Sequence, residues 1–188
     1  MKALFKRLQQ CFPLSEITEQ LNPQKGSQKN SQNSDLAFIT VASDQLRLVL
    51  THLRDVEGFT HLVLLTAVDW LEEDQFQLTY LICNRSKKWD IGLRVFISRE
   101  AATMESTHDL WAGIATYQRE LFEMFGIDFP GSPRIDEEFI LEGWKDLPPY
   151  RRDFDTLEYS QRTYKDRPGR ETKDPAEHMK QQLYKDGG

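Results

Sequence analysis

Three apolar runs rich in β-branched and aromatic residues follow one another with almost nothing between them: HLVLLTAVDW over residues 61–70, FQLTYLICN over 76–84 and IGLRVFIS over 91–98. In the second, Phe76, Leu78, Tyr80 and Ile82 alternate with Gln77, Thr79 and Leu81, the period of a strand with two unlike faces. The intervening LEEDQ is a hairpin connection rather than a crossover. Strands joined this closely pair with their neighbours in antiparallel fashion. The rest of the chain has to be arranged around that meander.

Upstream, Leu4, Phe5, Leu8 and Phe12 lie at helical spacing and stop at Pro13. NPQKGSQKNSQNSD, residues 22–35, is nearly devoid of apolar side chains and reads as a flexible loop. LAFITVA (36–42) reads as a strand. Ser43 or Asp44 is placed to cap a helix striped with Leu46, Val49, Leu50 and Leu53 and closing near Gly58. A further helix, from about Leu110 to Phe125, carries Ile114, Tyr117 and Leu121 on one face and stops at Gly126. This order predicts an α+β fold: a small, mostly antiparallel sheet with helices packed on it, plus an extended C-terminal tail. Residues 131–188 hold five prolines among scattered aromatics and mixed charge, a composition that builds no core of its own. The expected organisation is a helical segment at 1–21, a loop at 22–35, an α+β core at 36–130 and a partner-binding tail at 131–188.

Composition removes several classes of function. A net charge of -6 argues against nucleic acid, which is bound by clustered Lys and Arg. Cys11 and Cys83 are the two cysteines and have no CxxC spacing, so no self-contained iron–sulfur cluster or zinc finger is encoded. His52, His61, His108 and His178 show neither metal nor triad spacing. No glycine-rich phosphate loop follows a strand. No stretch approaches the roughly 20 apolar residues that span a bilayer. The expectation is therefore no metal and no cofactor on this chain, and a position outside the membrane.

Two stretches stand out. In YQRELFEMFGIDFPGSP (117–133), Arg119, Glu120 and Glu123 are set among Tyr117, Phe122 and Phe125, so the helix is apolar on much of its circumference with charges embedded in it. Arg119 and Glu123 are four apart and can pair along a solvated face, or the trio meets a partner. PPYRRDFD (148–155) repeats the theme, with Arg151, Arg152 and Asp153 between Tyr150 and Phe154 on a strip stiffened by Pro148 and Pro149. Arginine and aromatics together are what interface cores favour. Asp69, ending an apolar strand, is either a strand-end carboxylate or, if buried, a general base. An independent enzyme built on Asp69 or on the Arg119–Glu123 cluster and a free-standing adaptor are thus competing classes.

The stretches LLTAVDW, LRVFIS, YQRELFEMFGIDFPGSP and LPPYRRDFD, in this order over about residues 36–155, resemble the thirty-kilodalton subunit family of respiratory complex I and its relatives in other membrane-bound oxidoreductases. Arg119, Glu120, Glu123, Met124, Phe125, Gly126, Ile127, Phe129, Gly131 and Pro133 fall on the family's pattern, as do Arg151, Arg152, Asp153 and Phe154. Gln118 stands where the pattern has an acid, Ser132 where it has a histidine, and the acidic RIDEEFIL (134–141) where it has an arginine-rich run. The resemblance implies a non-catalytic subunit on the cytoplasmic side of the cell membrane, in the peripheral arm. There it would lie against the large quinone-site subunit and near the small iron–sulfur subunit. Iron–sulfur clusters, flavin and quinone would belong to the partners, and the donor would be NADH or, in a related complex, ferredoxin, F420H2 or hydrogen. It further implies a partner interface at Arg119, Glu120, Glu123, Phe125, Gly126, Phe129, Arg151, Arg152, Asp153 and Phe154.

Overall fold

The computed structural model describes residues 2–12, 16–20 and 35–164. Its elements in chain order are α1 (Lys2–Cys11), β1 (Glu16–Gln20), β2 (Asp35–Thr40), α2 (Leu46–Asp55), β3 (His61–Trp70), β4 (Gln75–Asn84), β5 (Trp89–Ser98), α3 (Ile114–Phe125) and α4 (Thr156–Thr163). The five strands form one sheet in the order β1-β2-β5-β4-β3. Only β2 and β5 run parallel; the other three pairings are antiparallel. The fold is α+β with a mostly antiparallel sheet, as the strand runs require.

Pleating separates the two faces of the sheet. In register across it, Leu65, Tyr80, Leu93 and Ile39 share a face, and all are buried with the α2 stripe of Leu46, Val49, Leu50 and Leu53. Leu4 and Leu8 of α1 join the same core. The opposite face carries Val68, Trp70 and Phe96, each more than one third exposed. There the ring of Phe38 lies where a Cβ on Gly92 would sit, 2.4 Å from its nearest atom, and the Arg94 guanidinium stacks 3.9 Å from that ring. A side chain at Gly92 would displace this stack.

Several boundaries differ from the sequence expectation. Residues 16–20, placed in a helical segment, form an edge strand on β2. Helix α2 begins after Gln45, and neither Ser43 nor Asp44 caps it. Residues 110–113, expected as the start of the long helix, lie outside it in turns and irregular chain, and α3 begins only after Gly113. Glycine there raises the cost of continuing the helix backwards. The expected loop at 22–35 lies outside the described residues up to 34, as does the tail beyond 164. The chain divides into two compact units, Met1–Phe154 and Asp155–Gly188. Within the second, α4 is capped by Asp155, whose side chain accepts the N–H groups of Leu157 and Glu158.

Candidate functional site

The end of α3 is where the residues singled out in the sequence gather. Gly126 takes a left-handed conformation at φ 76°, which a non-glycine residue adopts at a cost of about 1–2 kcal/mol. The chain reverses there, and the Ile127 N–H returns to the Leu121 carbonyl. Pro148 packs over the glycine so closely that an added Cβ would lie 3.3 Å from its Cγ. The Tyr150 N–H then donates to the Met124 carbonyl, 3.0 Å away, and satisfies an acceptor that the helix end leaves open. Phe125 sits edge-to-face between Phe76 and Tyr150, at centroid distances of 6.0 and 5.7 Å. Phe129 is fully buried. Its own segment runs beside residues 102–106, with the Met104 N–H on the Asp128 carbonyl and the Asp128 N–H on the Ala102 carbonyl.

Two of the three embedded charges of α3 meet a partner, and that partner is this chain. Glu123 accepts three consecutive backbone N–H groups, from Phe139 (2.6 Å), Ile140 (2.8 Å) and Leu141 (2.9 Å). Arg119 donates to the carbonyls of Glu137 and Glu138, the shortest contact being 2.7 Å. The two side chains are therefore turned to the 137–141 backbone rather than joined in the i,i+4 bridge that spacing allows. Partial burial of Glu123 opposes its charge, yet the three N–H donors and then Arg119 outweigh it and hold its pKa below the ordinary glutamate range. Glu120 takes no partner among the described residues.

The RRDF strip is tied at the far end of the sheet. Asp69, on the core side of β3, is 4% exposed. Its Oδ2 accepts the backbone N–H of Arg152 at 2.9 Å and Nη2 of Arg99 at 3.2 Å. Arg99 Nε lies 2.8 Å from Oδ1 as an ion pair, out of line for a hydrogen bond. The same Arg99 Nη2 donates to Asp153 Oδ1 at 2.9 Å. Burial opposes the Arg99 charge, but Asp153 and Asp69 outweigh it and raise its pKa; Arg99 in turn lowers that of Asp153 against partial burial. Arg151 adds a 3.3 Å contact to Asp153 and lies over the Phe76 ring. The Arg152 guanidinium reaches the exposed Glu72, and Phe154 packs against Trp144.

Sequence reasoning left Asp69 between a strand-end carboxylate and a general base, read Phe76 only as a strand residue, and gave no role to Arg99 or Glu72. Asp69 and Arg152 stand 83 residues apart, so no local signal connects them. With its oxygens committed to Arg99 and to the Arg152 N–H, Asp69 is built to hold the strip in place. Among the described residues no helix is long and apolar enough to cross a membrane, and no three His, Cys, Asp or Glu side chains gather as a metal site.

A family model for the respiratory-chain NADH dehydrogenase 30 Kd subunit matches residues 39–160, which contain the whole of this corner and both of its ties. The chain belongs to that family. Among its relatives, an NADH-quinone oxidoreductase subunit of Moorella thermoacetica is 28% identical over 135 residues, 72% of this chain and 82% of that protein. The corresponding NADH-quinone oxidoreductase subunit of Rhodobacter capsulatus is 33% identical over 129 residues, 67% of this chain and 64% of that one. In Aquifex aeolicus the similar segment is 19% of a longer NADH-quinone oxidoreductase subunit, at 32% identity. Two solved structures share the fold. One is a chain of the membrane-bound sulfane sulfur reductase, an archaeal respiratory membrane complex, with a TM-score of 0.71 at 23% identity, covering 93% of this chain and 96% of that one. The other is a trypsin-resistant fragment (1–134) of Nqo5, with a TM-score of 0.54 at 18% identity, covering 70% and 96%.

Proposed function

We propose that this chain is a structural subunit of the peripheral arm of a complex I-like NADH:quinone oxidoreductase. It supports the large subunit that shapes the quinone site while electrons pass to quinone and ions are moved. The observation that carries this reading is the family match over residues 39–160, whose matched stretch includes the α3 corner and the RRDF strip. Their geometry supports a scaffold role: Arg119, Glu123 and Asp69 are occupied in fixing backbone, and Arg99 and Asp153 in an ion network with Asp69, an arrangement that presents a rigid surface. On that surface Glu120, Phe122, Tyr150 and Arg152 remain available to the large subunit and the small iron–sulfur subunit. Clusters, flavin and quinone belong to those partners, and the chain itself carries none. It reaches the cytoplasmic face of the membrane through them.

The test is affinity purification of the tagged full chain from detergent-solubilised membranes of its source. Recovery with the large and iron–sulfur subunits, together with NADH:quinone reductase activity, is expected. The purified chain alone should hold no stoichiometric iron or flavin. A chain recovered without oxidoreductase subunits, or active by itself, would overturn the reading.

A further inference from the structure

A pocket of about 360 Å³ opens beside the end of α3, between that helix and residues 136–148. Its floor is apolar, formed by Phe122, Leu141, Trp144 and Pro148, and its wall is acidic, led by Asp136 and Glu137. Phe122 is 38% exposed there. Arg119, the helix cation nearest in sequence to this wall, is turned to the Glu137 and Glu138 carbonyls. Asp136 takes no partner among the described residues, and Glu137 Oε2 meets the chain's own Arg134 Nη1 at 3.7 Å, in a pair exposed on both sides that an incoming cation can join or replace.

We propose that this pocket docks a basic side chain, arginine or lysine, from a positively charged segment of a neighbouring subunit. The proposal rests on the subunit reading above and names the chemistry of one of its contacts. An apolar floor alone would suit an apolar plug, and an acidic wall alone would stay hydrated. Together they match a side chain with an aliphatic stem and a cationic head. The stem covers Leu141 and Pro148, the head lies against the Trp144 or Phe122 ring, and the carboxylates accept its N–H groups. An anionic partner is repelled by the same wall, and no metal-holding group occurs here among the described residues. The floor is held open by the chain's own bonds: Glu123 fixes residues 139–141 and Glu138 Oε1 accepts the Gly143 N–H at 2.8 Å. The site is thus preformed, which lowers the ordering cost of binding.

The test compares the tagged wild-type chain with the double variant Asp136→Lys, Glu137→Lys, with Trp144→Ala, and with Glu100→Lys as an exposed reversal outside the pocket. Each is purified from solubilised membranes at low and high salt. Placing like charges against the basic segment should cut recovery of partner subunits by about ten-fold or more for the double variant, most strongly at low salt. Trp144→Ala should cut it less, and Glu100→Lys should leave it unchanged. In isolation the double variant should melt within about 4 °C of the wild type, since the Arg134–Glu137 pair it removes is exposed. Recovery equal to wild type would overturn the proposal. So would a fall of more than about 4 °C in the melting temperature of the isolated double variant, more than loss of the exposed Arg134–Glu137 pair accounts for, because the acids would then be answered mainly by the chain's own basic residues. If the wild-type chain brings down no oxidoreductase subunit at all, the failure lies with the subunit reading, and the docking contact falls with it.

Discussion

Two ties hold the segment that follows Pro130, and they use charge in opposite ways. Near the α3 surface, Glu123 and Arg119 grip backbone: three N–H groups and two carbonyls of residues 137–141. At the end of the sheet, Asp69, Arg99 and Asp153 bind side chain to side chain, with Asp69 and Arg99 buried. A grip on backbone reads no sequence. Residues 134–141 can therefore be the acidic RIDEEFIL, unlike the family pattern, without loosening their path. A buried ion network reads every member. Asp153 can depart only if Arg99 and Asp69 change with it.

This contrast makes graded predictions. Asp69→Asn should have the largest effect, because it strips charge from a partner of buried Arg99. The cost is about 3 kcal/mol, at the low end for a broken buried pair because Asp153 still faces Arg99. Urea unfolding of the purified chain measures it, and a loss below about 1 kcal/mol would place the network in solvent. Glu123→Gln should cost less, about 1–2 kcal/mol, since its charged hydrogen bonds are half-exposed and screened. Its pH dependence has a fixed sign. The folded pKa of Glu123 is lowered, so its stabilisation is complete above the ordinary glutamate value of about 4.3 and fades as pH falls through the lower folded value. The gap between wild type and Glu123→Gln should therefore be constant from about pH 6 to 8 and close on acidification below about pH 4. A gap that widens on acidification would contradict the assignment. Arg152→Ala should have the smallest effect: among the described residues its guanidinium pairs with the exposed Glu72 alone, while the backbone N–H that Asp69 accepts remains. Its melting temperature should match the wild type, and any loss should appear in assembly of the complex.

The sequence was most informative where order in the chain coincides with order in space. Three strand runs with short connections made the β3-β4-β5 meander legible, and the α2 stripe and Gly126 marked one helix face and one helix end. The family pattern identified the α3 corner and the RRDF strip. What each charge touches was illegible, because the contacts span 16 to 83 residues and many of them end on backbone atoms, which carry no residue identity. The strand at 16–20 was hidden for a related reason. EITEQ is short and polar, and its strand conformation comes from pairing with β2.

Residues 131–154 are part of the folded domain rather than a tail awaiting a partner. Thermal melting of two purified chains, one ended after Phe154 and one after Pro130, tests this most directly. The shorter chain loses the Glu123 and Asp153 ties, the Tyr150 N–H on the end of α3 and the ring packed on Phe125. It should melt at least about 10 °C lower, with exposed apolar surface detectable by dye binding. Equal melting of the two chains would return residues 131–154 to the role of a tail.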